Sequence, residues 1–258
     1  RGWSLTPVPL EYTLEFFRQV SFETPKFIIN SLVFCAIAVA LCIAIGVPMA
    51  WIMARTKAPG RGAMDALTTL MLAIPGTAVG IAFVRAFNFQ LPFSEESLTS
   101  LWIILPLVLA VRRLPYTVRG SYSSLLLVHK SMEEAAESVG ATKLRTFRDI
   151  TVPLVWKGIF VGALFSFITS IQEASSTIFL TLGGNEMIPF GIFTFYIAGS
   201  QSQAAALGVI LIAVCAASLY VVNRIAGTRV VRTVLSSGRA CPARPPPRVK
   251  AKILYRIV

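Results

Sequence analysis

Residues 131–153, with the sequence SMEEAAESVGATKLRTFRDITVP, form a polar segment between long apolar runs. Ser131 followed by Glu134 is a capping-box pattern, which predicts that a short helix begins here with acidic residues in its first turn. Gly140 is expected to end that helix, because glycine accepts the left-handed conformation common after a helix C-terminus. Thr142 is suited to cap a second short helix. The polar segment therefore predicts a helix, a sharp turn and a second helix.

This polar segment resembles the EAA loop of the membrane-spanning permease subunits of bacterial type I ABC importers. The matching positions are Glu134, Ala135, Ala136, Gly140, Ile150 and Pro153. Val152 stands where the family pattern has Leu. A pattern that fixes several residues over about twenty positions is far more specific than a lone glycine motif. The resemblance implies a coupling helix that docks on a separate ABC ATPase subunit; the alternative interpretation is an amphipathic surface helix.

The composition indicates a membrane protein. Of the 258 residues, 55% are hydrophobic and 14% are charged, whereas a soluble domain of this length would need more polar surface. The net charge of +12 is concentrated at one end, because nine of the 24 Lys and Arg follow Val222 and leave 15 basic against 12 acidic residues before it. We therefore expect no nucleic-acid partner.

Five long apolar runs predict an all-α fold, a polytopic membrane helical bundle with five transmembrane helices. About 20 helical residues cross a hydrocarbon core of about 30 Å. The runs are residues 32–54, 66–84, 101–119, 159–182 and 204–222. We expect a kink at Pro75 in the second run. The third run is predicted to continue through Arg112 and Arg113.

The distribution of Lys and Arg predicts the side of the membrane that each loop faces. Residues 90–100 and 183–201 contain neither, whereas residues 55–62, the polar segment and the C-terminal end are basic. Because basic loops stay in the cytoplasm, the polar segment and the C-terminus are predicted to be cytoplasmic. With the resemblance, this implies a multi-pass protein of the bacterial inner membrane.

Three parts of the chain are distinguished by composition. Residues 1–26 form an amphipathic lead-in on the extracytoplasmic side. Residues 27–229 correspond to the type-1 transmembrane domain that the resemblance implies. Residues 230–258 form a basic, Pro-rich tail, which we expect to be disordered, with an adventitious terminus as the alternative.

Charged residues inside predicted spans are candidates for the translocation path, because unpaired charge in hydrocarbon is costly and such side chains face protein or water. The candidates are Glu173, Arg85 and Arg112. We expect Glu173 to pair with Arg85, since both fall in the outer halves of their spans. In the alternative interpretation Glu173 is protonated or bonded to neighbouring Ser and Thr.

Residues 111–119, VRRLPYTVR, resemble a pattern of permeases that serve ferric iron and other small ions. Arg112, Leu114, Pro115 and Tyr116 match, and Arg113 stands where an aromatic residue is expected. The resemblance implies ferric iron as substrate, with phosphonate, thiamine or a polyamine as alternatives. It also implies a substrate-binding protein outside, a second permease half or a homodimer partner, and the lipid bilayer as partners. The start at Arg1 fits one half of a fused permease or a truncated single one.

The sequence contains no G-x-x-x-x-G-K-[ST] loop, so ATP hydrolysis is expected on a partner and not on this chain. His129 has no paired nucleophile, and we predict no catalytic residue, cofactor or metal site. A passive channel or a membrane enzyme is the other class of function considered, but it would require a pore-lining pattern or a cluster of nucleophile and base. A non-transporting permease fragment is a third alternative.

Overall fold

The computed structural model describes residues 13–57, 59–88 and 101–237. Within these residues the regular structure is helical, which confirms the predicted all-α fold. The helices are α1 (Glu15–Arg18), α2 (Lys26–Arg55), α3 (Arg61–Ala73), α4 (Gly76–Phe87), α5 (Ile104–Leu127), α6 (Ser131–Ser138), α7 (Lys143–Thr146), α8 (Val152–Ile171), α9 (Ile188–Ile197) and α10 (Gln201–Ser237). Short π-helical turns at Gln19–Glu23 and Phe147–Thr151 precede α2 and α8.

The centre of the bundle is formed by α2, α5 and α8. α5 packs along both of the other helices. Its Leu105 and Leu109 are fully buried against Cys35 of α2 and Ile171 of α8. Such a contiguous apolar cluster is the usual core of a helical bundle.

Glycines bring the backbones of α5 and α8 into direct contact. A Cβ added to Gly120 would lie 2.9 Å from the carbonyl oxygen of Gly158, and one added to Gly162 would lie 2.9 Å from the carbonyl oxygen of Tyr116. A side chain at either position would push the helices apart. Small residues at helix contacts are typical of membrane bundles. The helices on the two sides of the polar segment are therefore packed as one tight pair.

Three helical stretches are long and apolar enough to cross a membrane. They are Lys26–Arg55, Lys143–Ile171 and Gln201–Ile225. Large apolar side chains are exposed along α2 and α10, and they include Ile29, Val33 and Ile45 on α2 and Val209, Ile212 and Tyr220 on α10. So much exposed apolar surface is expected where a helix contacts lipid.

The predicted kink at Pro75 is a complete break. Together α3 and α4 are long and apolar enough to cross a membrane, but the two helices are bent by 109° relative to each other. Ile74 is extended, with ψ 128°, because the residue before a proline disfavours the helical region. Pro75 is extended too, with ψ 139°. The second apolar run therefore forms two helices, and such a bent pair is either a broken span or a re-entrant loop.

The predicted end of the fourth run is wrong. That run was expected to continue to residue 182, but α8 ends at Ile171. The hydroxyl of Thr177 donates to the carbonyl oxygen of Glu173 (2.8 Å), and the backbone N–H of Ser176 donates to the Glu173 carboxylate (3.1 Å). Side chains that bond the local backbone compete with the helical ladder. Glu173 consequently lies in a turn beyond α8 and not within a helix.

The third and fifth runs are helical and longer than predicted. α5 continues through Arg112 and Arg113 to Leu127. α10 continues to Ser237, past the start of the predicted tail. The rest of that tail, the whole loop at residues 90–100 and residues 1–12 of the lead-in lie outside the described residues. From residue 13 the lead-in forms α1 and a π-helical turn, whose Val20 packs against Phe27.

Candidate functional site: the polar segment and a buried charge cluster

The polar segment has the predicted helix–turn–helix form. α6 ends in a Schellman motif, in which Gly140 has φ +93° and its N–H donates to the carbonyl of Glu137 (3.0 Å). The N–H of Ala141 donates to the carbonyl of Ala136 (3.1 Å), which completes the motif. Thr142 caps the second helix, because its hydroxyl accepts from the N–H of Arg145 (3.4 Å). The predictions for Gly140 and Thr142 as turn and cap residues are confirmed.

The predicted capping box is wrong. Lys130 occupies the N-cap of α6, and no side chain caps the helix there. The hydroxyl of Ser131 lies 2.8 Å from Nδ1 of His129, and the Ser131 N–H donates to the same nitrogen at 3.3 Å. Glu134 instead pairs with Lys130 on the surface (3.2 Å). His129 competes for the serine because it is only two residues away.

The motif positions lie mostly on the outside of the polar segment. Glu134, Ala135, Gly140 and Pro153 are exposed, Ile150 is half-buried and Ala136 is buried. Val139 and Leu144 flank the turn on the same segment, and both are almost fully exposed. The turn therefore presents apolar and charged side chains together on one projecting surface.

A buried ion pair holds α6 to the bundle, and sequence reasoning missed it. The Glu133 side chain is 8% exposed, and its Oε1 lies 3.1 Å from Nε of Arg55, the last residue of α2. Thr151 donates its hydroxyl to the same oxygen at 3.0 Å. The available signal was helical spacing, since Glu133 lies three residues before Ala136 and so shares its face.

A second charge cluster joins the turn beyond α8 to the middle of α5. Oε2 of Glu173 lies 2.5 Å from Nη1 of Arg112 and is also bonded by Nη2 of Arg113. Its other carboxylate oxygen accepts from the hydroxyl of Ser175 at 2.5 Å. The three charged side chains are only 4%, 11% and 13% exposed, respectively. Charges this well buried are retained only when they are paired and hydrogen-bonded.

The predicted pairing of Glu173 with Arg85 is wrong. Arg85 is exposed near the end of α4, whereas the carboxylate is occupied by Arg112 and Arg113. The close approach of α5 and α8 sets this outcome, because it places the end of α8 beside the arginines of α5. The alternative, a Glu173 bonded to neighbouring hydroxyls, is correct for Ser175.

The broken helix pair also contacts this cluster. A Cβ added to Gly76, the first residue of α4, would lie 1.9 Å from the Ser175 hydroxyl and 2.6 Å from Nη1 of Arg112. Only glycine allows the backbone to approach so closely. The cluster thus connects α4, α5 and the turn beyond α8. Within the described part of the chain, no group of three or more His, Cys, Asp or Glu side chains is placed to bind a metal ion.

Comparison with known sequences identifies relatives over most of the chain. The family described as binding-protein-dependent transport system inner membrane component matches residues 46–232. The chain is 28% identical over 207 residues to the ferric transport system permease protein FbpB of Actinobacillus pleuropneumoniae, covering 80% of this chain and 30% of that one. It is 30% identical over 205 residues to the molybdenum transport system permease protein ModB of Escherichia coli, covering 75% and 90%. It is 28% identical over 200 residues to the sulfate transport system permease protein CysT of Salmonella typhimurium, covering 72% of each.

The chain therefore spans less than a third of the ferric relative. Among solved structures, an inward-facing MetNI methionine ABC transporter matches with TM-score 0.59 and 17% identity, covering 81% of this chain and 95% of that one. A bacterial alginate ABC transporter, in complex with an alginate-bound periplasmic protein, matches with TM-score 0.64 and 15% identity, covering 84% and 85%. The fold is thus that of ABC transporter permeases. Since the family model matches well over half of its residues, this chain belongs to the binding-protein-dependent transport system inner membrane components, the permeases of ABC importers.

Proposed function

We propose that this chain is the membrane-spanning permease subunit of an ATP-driven importer, and that its polar segment is the coupling loop for a separate ABC ATPase. The observation that carries the proposal is the projecting turn at Gly140. It bears the motif residues, is fixed by a Schellman motif, and is joined directly to α5 and α8 through short connections. ATP hydrolysis belongs to the partner in this proposal, and this chain supplies the path and the contact.

The surface around Gly140 is suited to a protein groove. Val139 and Leu144 expose large apolar side chains beside the Glu134–Lys130 ion pair. Apolar groups surrounded by charged ones are typical of helix-in-groove recognition. The small side chains of Ala135 and Gly140 allow the backbone of the turn to approach its partner closely.

Contacts at the two ends of the bundle support five spans with a cytoplasmic C-terminus. At one end, Arg55 contacts the polar segment. At the other, Lys26 at the start of α2 pairs with Glu186 (3.2 Å), and Asn30 donates to the carbonyl of Gly184 (2.8 Å). In this topology α2, the α3–α4 pair, α5, α8 and α10 cross the inner membrane. The segment before α9 then faces outwards, towards the substrate-binding protein.

We place the translocation path beside the cluster of Glu173, Arg112 and Arg113. Ala174 and Ser175, which follow Glu173 in the chain, are exposed. Pro75 and neighbouring residues at the start of α4 are exposed too. A second permease half or a second copy of the chain would cover this face. Arg85, exposed on α4, is a further candidate for the path.

We propose a small inorganic ion as the transported solute, with ferric iron first. The resemblance of residues 111–119 and the ferric relative support iron. The relatives named for sulfate and molybdenum are equally similar, which makes oxyanions the main alternative. Phosphonate, thiamine and polyamine remain further alternatives from the sequence pattern.

The proposal is tested by co-purification of the tagged chain with ABC ATPase subunits from detergent-solubilised membranes. We compare the intact chain with Glu134→Arg at the projecting turn and with Glu15→Arg, a matched charge reversal at an exposed site on α1. The intact chain and Glu15→Arg are expected to retain the ATPase, and Glu134→Arg is expected to lose it. Failure of the folded intact chain to retain any ATPase would contradict the proposed function.

A further inference from the structure

We propose that Glu133 is the positioning residue that transmits movement of the polar segment to the membrane helices, through its buried bonds to Arg55 and Thr151. The proposal rests on the coupling function proposed above. It assigns a separate task to each of two adjacent acids, Glu134 for contact with the partner and Glu133 for transmission.

The two acids occupy opposite environments on α6. The Glu134 side chain is 60% exposed, whereas that of Glu133 is 8% exposed. An exposed pair such as Glu134–Lys130 contributes little to stability, with a median of about 0–1 kcal/mol. A buried pair is different, because loss of one partner leaves the other charge buried and uncompensated. Glu133 is therefore held in place much more firmly than its neighbour.

The bonds of Glu133 and Arg55 reach α2 and the two helices that flank the polar segment, α5 and α8. Arg55 ends α2, and its Nη2 donates to the carbonyl oxygens of Leu125 (3.0 Å) and Val128 (2.7 Å) at the end of α5. Thr151, which donates to Glu133, is fully buried and immediately precedes α8. One carboxylate and one guanidinium thus connect α6 to α2, α5 and α8.

This connection is directional, unlike the apolar packing around it. Charge-assisted hydrogen bonds have fixed geometry, whereas apolar contacts are non-directional and allow side chains to slide. A displacement of α6 is therefore delivered to the ends of α2 and α5 and to the start of α8. The nearby edge-to-face contact of Trp51 with Phe147, with ring centroids 5.5 Å apart, holds α2 against the π-helical turn before α8 when the ion pair is removed.

Removing the pair is consequently expected to separate binding from transmission. Glu133→Gln keeps an acceptor oxygen but removes the charge, so the bond to Arg55 is no longer charge-assisted and the guanidinium is left uncompensated. The exposed face of α6 is unchanged, so ATPase subunits still bind and hydrolyse ATP. The membrane helices, however, no longer move when α6 is displaced. This phenotype differs from that of Glu134→Arg, which loses the partner itself.

The test uses the full chain with its bound ATPase subunits in lipid nanodiscs. Ala174, exposed beside Glu173, is replaced by cysteine as a reporter, and its labelling rate with a polar maleimide is measured with and without ATP and vanadate. Cys35, Cys42 and Cys215 are buried, and Cys241 is replaced by serine. We expect ATP to change the labelling rate by about tenfold in the parent chain, within the range of site-to-site coupling. In Glu133→Gln the change is expected to be lost while ATPase binding and hydrolysis persist.

Three further variants make the result decisive. Glu15→Gln, at an exposed position of α1 and outside the polar segment, is the matched control and should behave as the parent. Arg55→Met should lose the response, and the double variant with Glu133→Gln should be no worse than either single one, since residues that act as one pair are non-additive. Thr151→Val, which preserves shape, should weaken the response and provides the test if Glu133→Gln does not fold.

Several outcomes would overturn the proposal. They are a full response in Glu133→Gln, an unchanged response in Thr151→Val, or additive losses in the double variant. An absent response in the parent chain with ATPase bound would also overturn it, because the polar segment would then not move the helices. Absence of bound ATPase in the parent would instead contradict the proposed function.

Discussion

Replacement of Glu173 by Gln removes the carboxylate that Arg112 and Arg113 share. The glutamine has nearly the same shape, and it still accepts a hydrogen bond. The charge is lost, however, and two guanidiniums that are 11% and 13% exposed are left side by side. The variant therefore isolates the electrostatic part of the cluster.

The expected loss follows from burial. Breaking a buried ion pair from one side costs about 3–5 kcal/mol. The expected loss lies at the lower end of this range, because both arginine side chains are partly exposed to water. A loss of about 3 kcal/mol corresponds to a fall in melting temperature of about 6–12 °C for a chain of this size.

Thermal unfolding in detergent, followed by size-exclusion chromatography, measures the effect. The matched control is Glu186→Gln, because its partner Lys26 is half-exposed and the pair is worth less than about 1 kcal/mol. Adding Arg113→Met to Glu173→Gln should recover part of the loss by removing one of two like charges. A Glu173→Gln chain that melts within about 2 °C of the control would refute the reasoning, since that interval is under about 1 kcal/mol.

Three further variants test other contacts. In Gly140→Val the added Cβ meets no neighbouring atom, but valine in the left-handed conformation costs about 1–3 kcal/mol. The turn should therefore distort, and ATP hydrolysis should uncouple from solute uptake. A normal ratio of uptake to ATP hydrolysis would count against a rigid turn. In Gly158→Ala the added Cβ meets the Ser124 hydroxyl at 1.7 Å, so the melting temperature should fall by an amount equivalent to about 1–3 kcal/mol, and an unchanged value would disprove the close helix contact. Ser31→Ala deprives the N–H of Ile188 of its acceptor (2.7 Å), so denaturant unfolding should show a loss of about 1–3 kcal/mol, and equal stability would contradict this role.

Features set by neighbouring residues were predictable from the sequence. The turn at Gly140 and the cap at Thr142 depend on atoms within five residues along the chain. The family resemblance of the polar segment also depends only on local spacing. The prediction of a capping box failed for a local reason, because the Ser131 hydroxyl is hydrogen-bonded to His129.

Features set by packing were not predictable. The partner of Glu173 depends on how closely α5 and α8 approach, and this depends on the register of Gly120 against Gly158. The apolar pattern alone also predicted the end of α8 too far along the chain. It takes no account of the hydrogen bond from the Thr177 hydroxyl to the backbone carbonyl of Glu173. The role of Glu133 depends on Arg55, 78 residues earlier, and no local pattern connects the two.

In the topology proposed above, where α5 crosses the membrane, its arginines have a consequence for how the protein is made. At the centre of a membrane helix each arginine costs about 2.5–3.5 kcal/mol during insertion. Arg113 leaves the ribosome 60 residues before Glu173, the acid that neutralises it. In that topology we expect α5 to stay in a polar environment of the insertion machinery during translation until α8 and its following turn arrive. A nascent chain that stops before Glu173 would leave α5 without its counter-ion, as a substrate for membrane quality control.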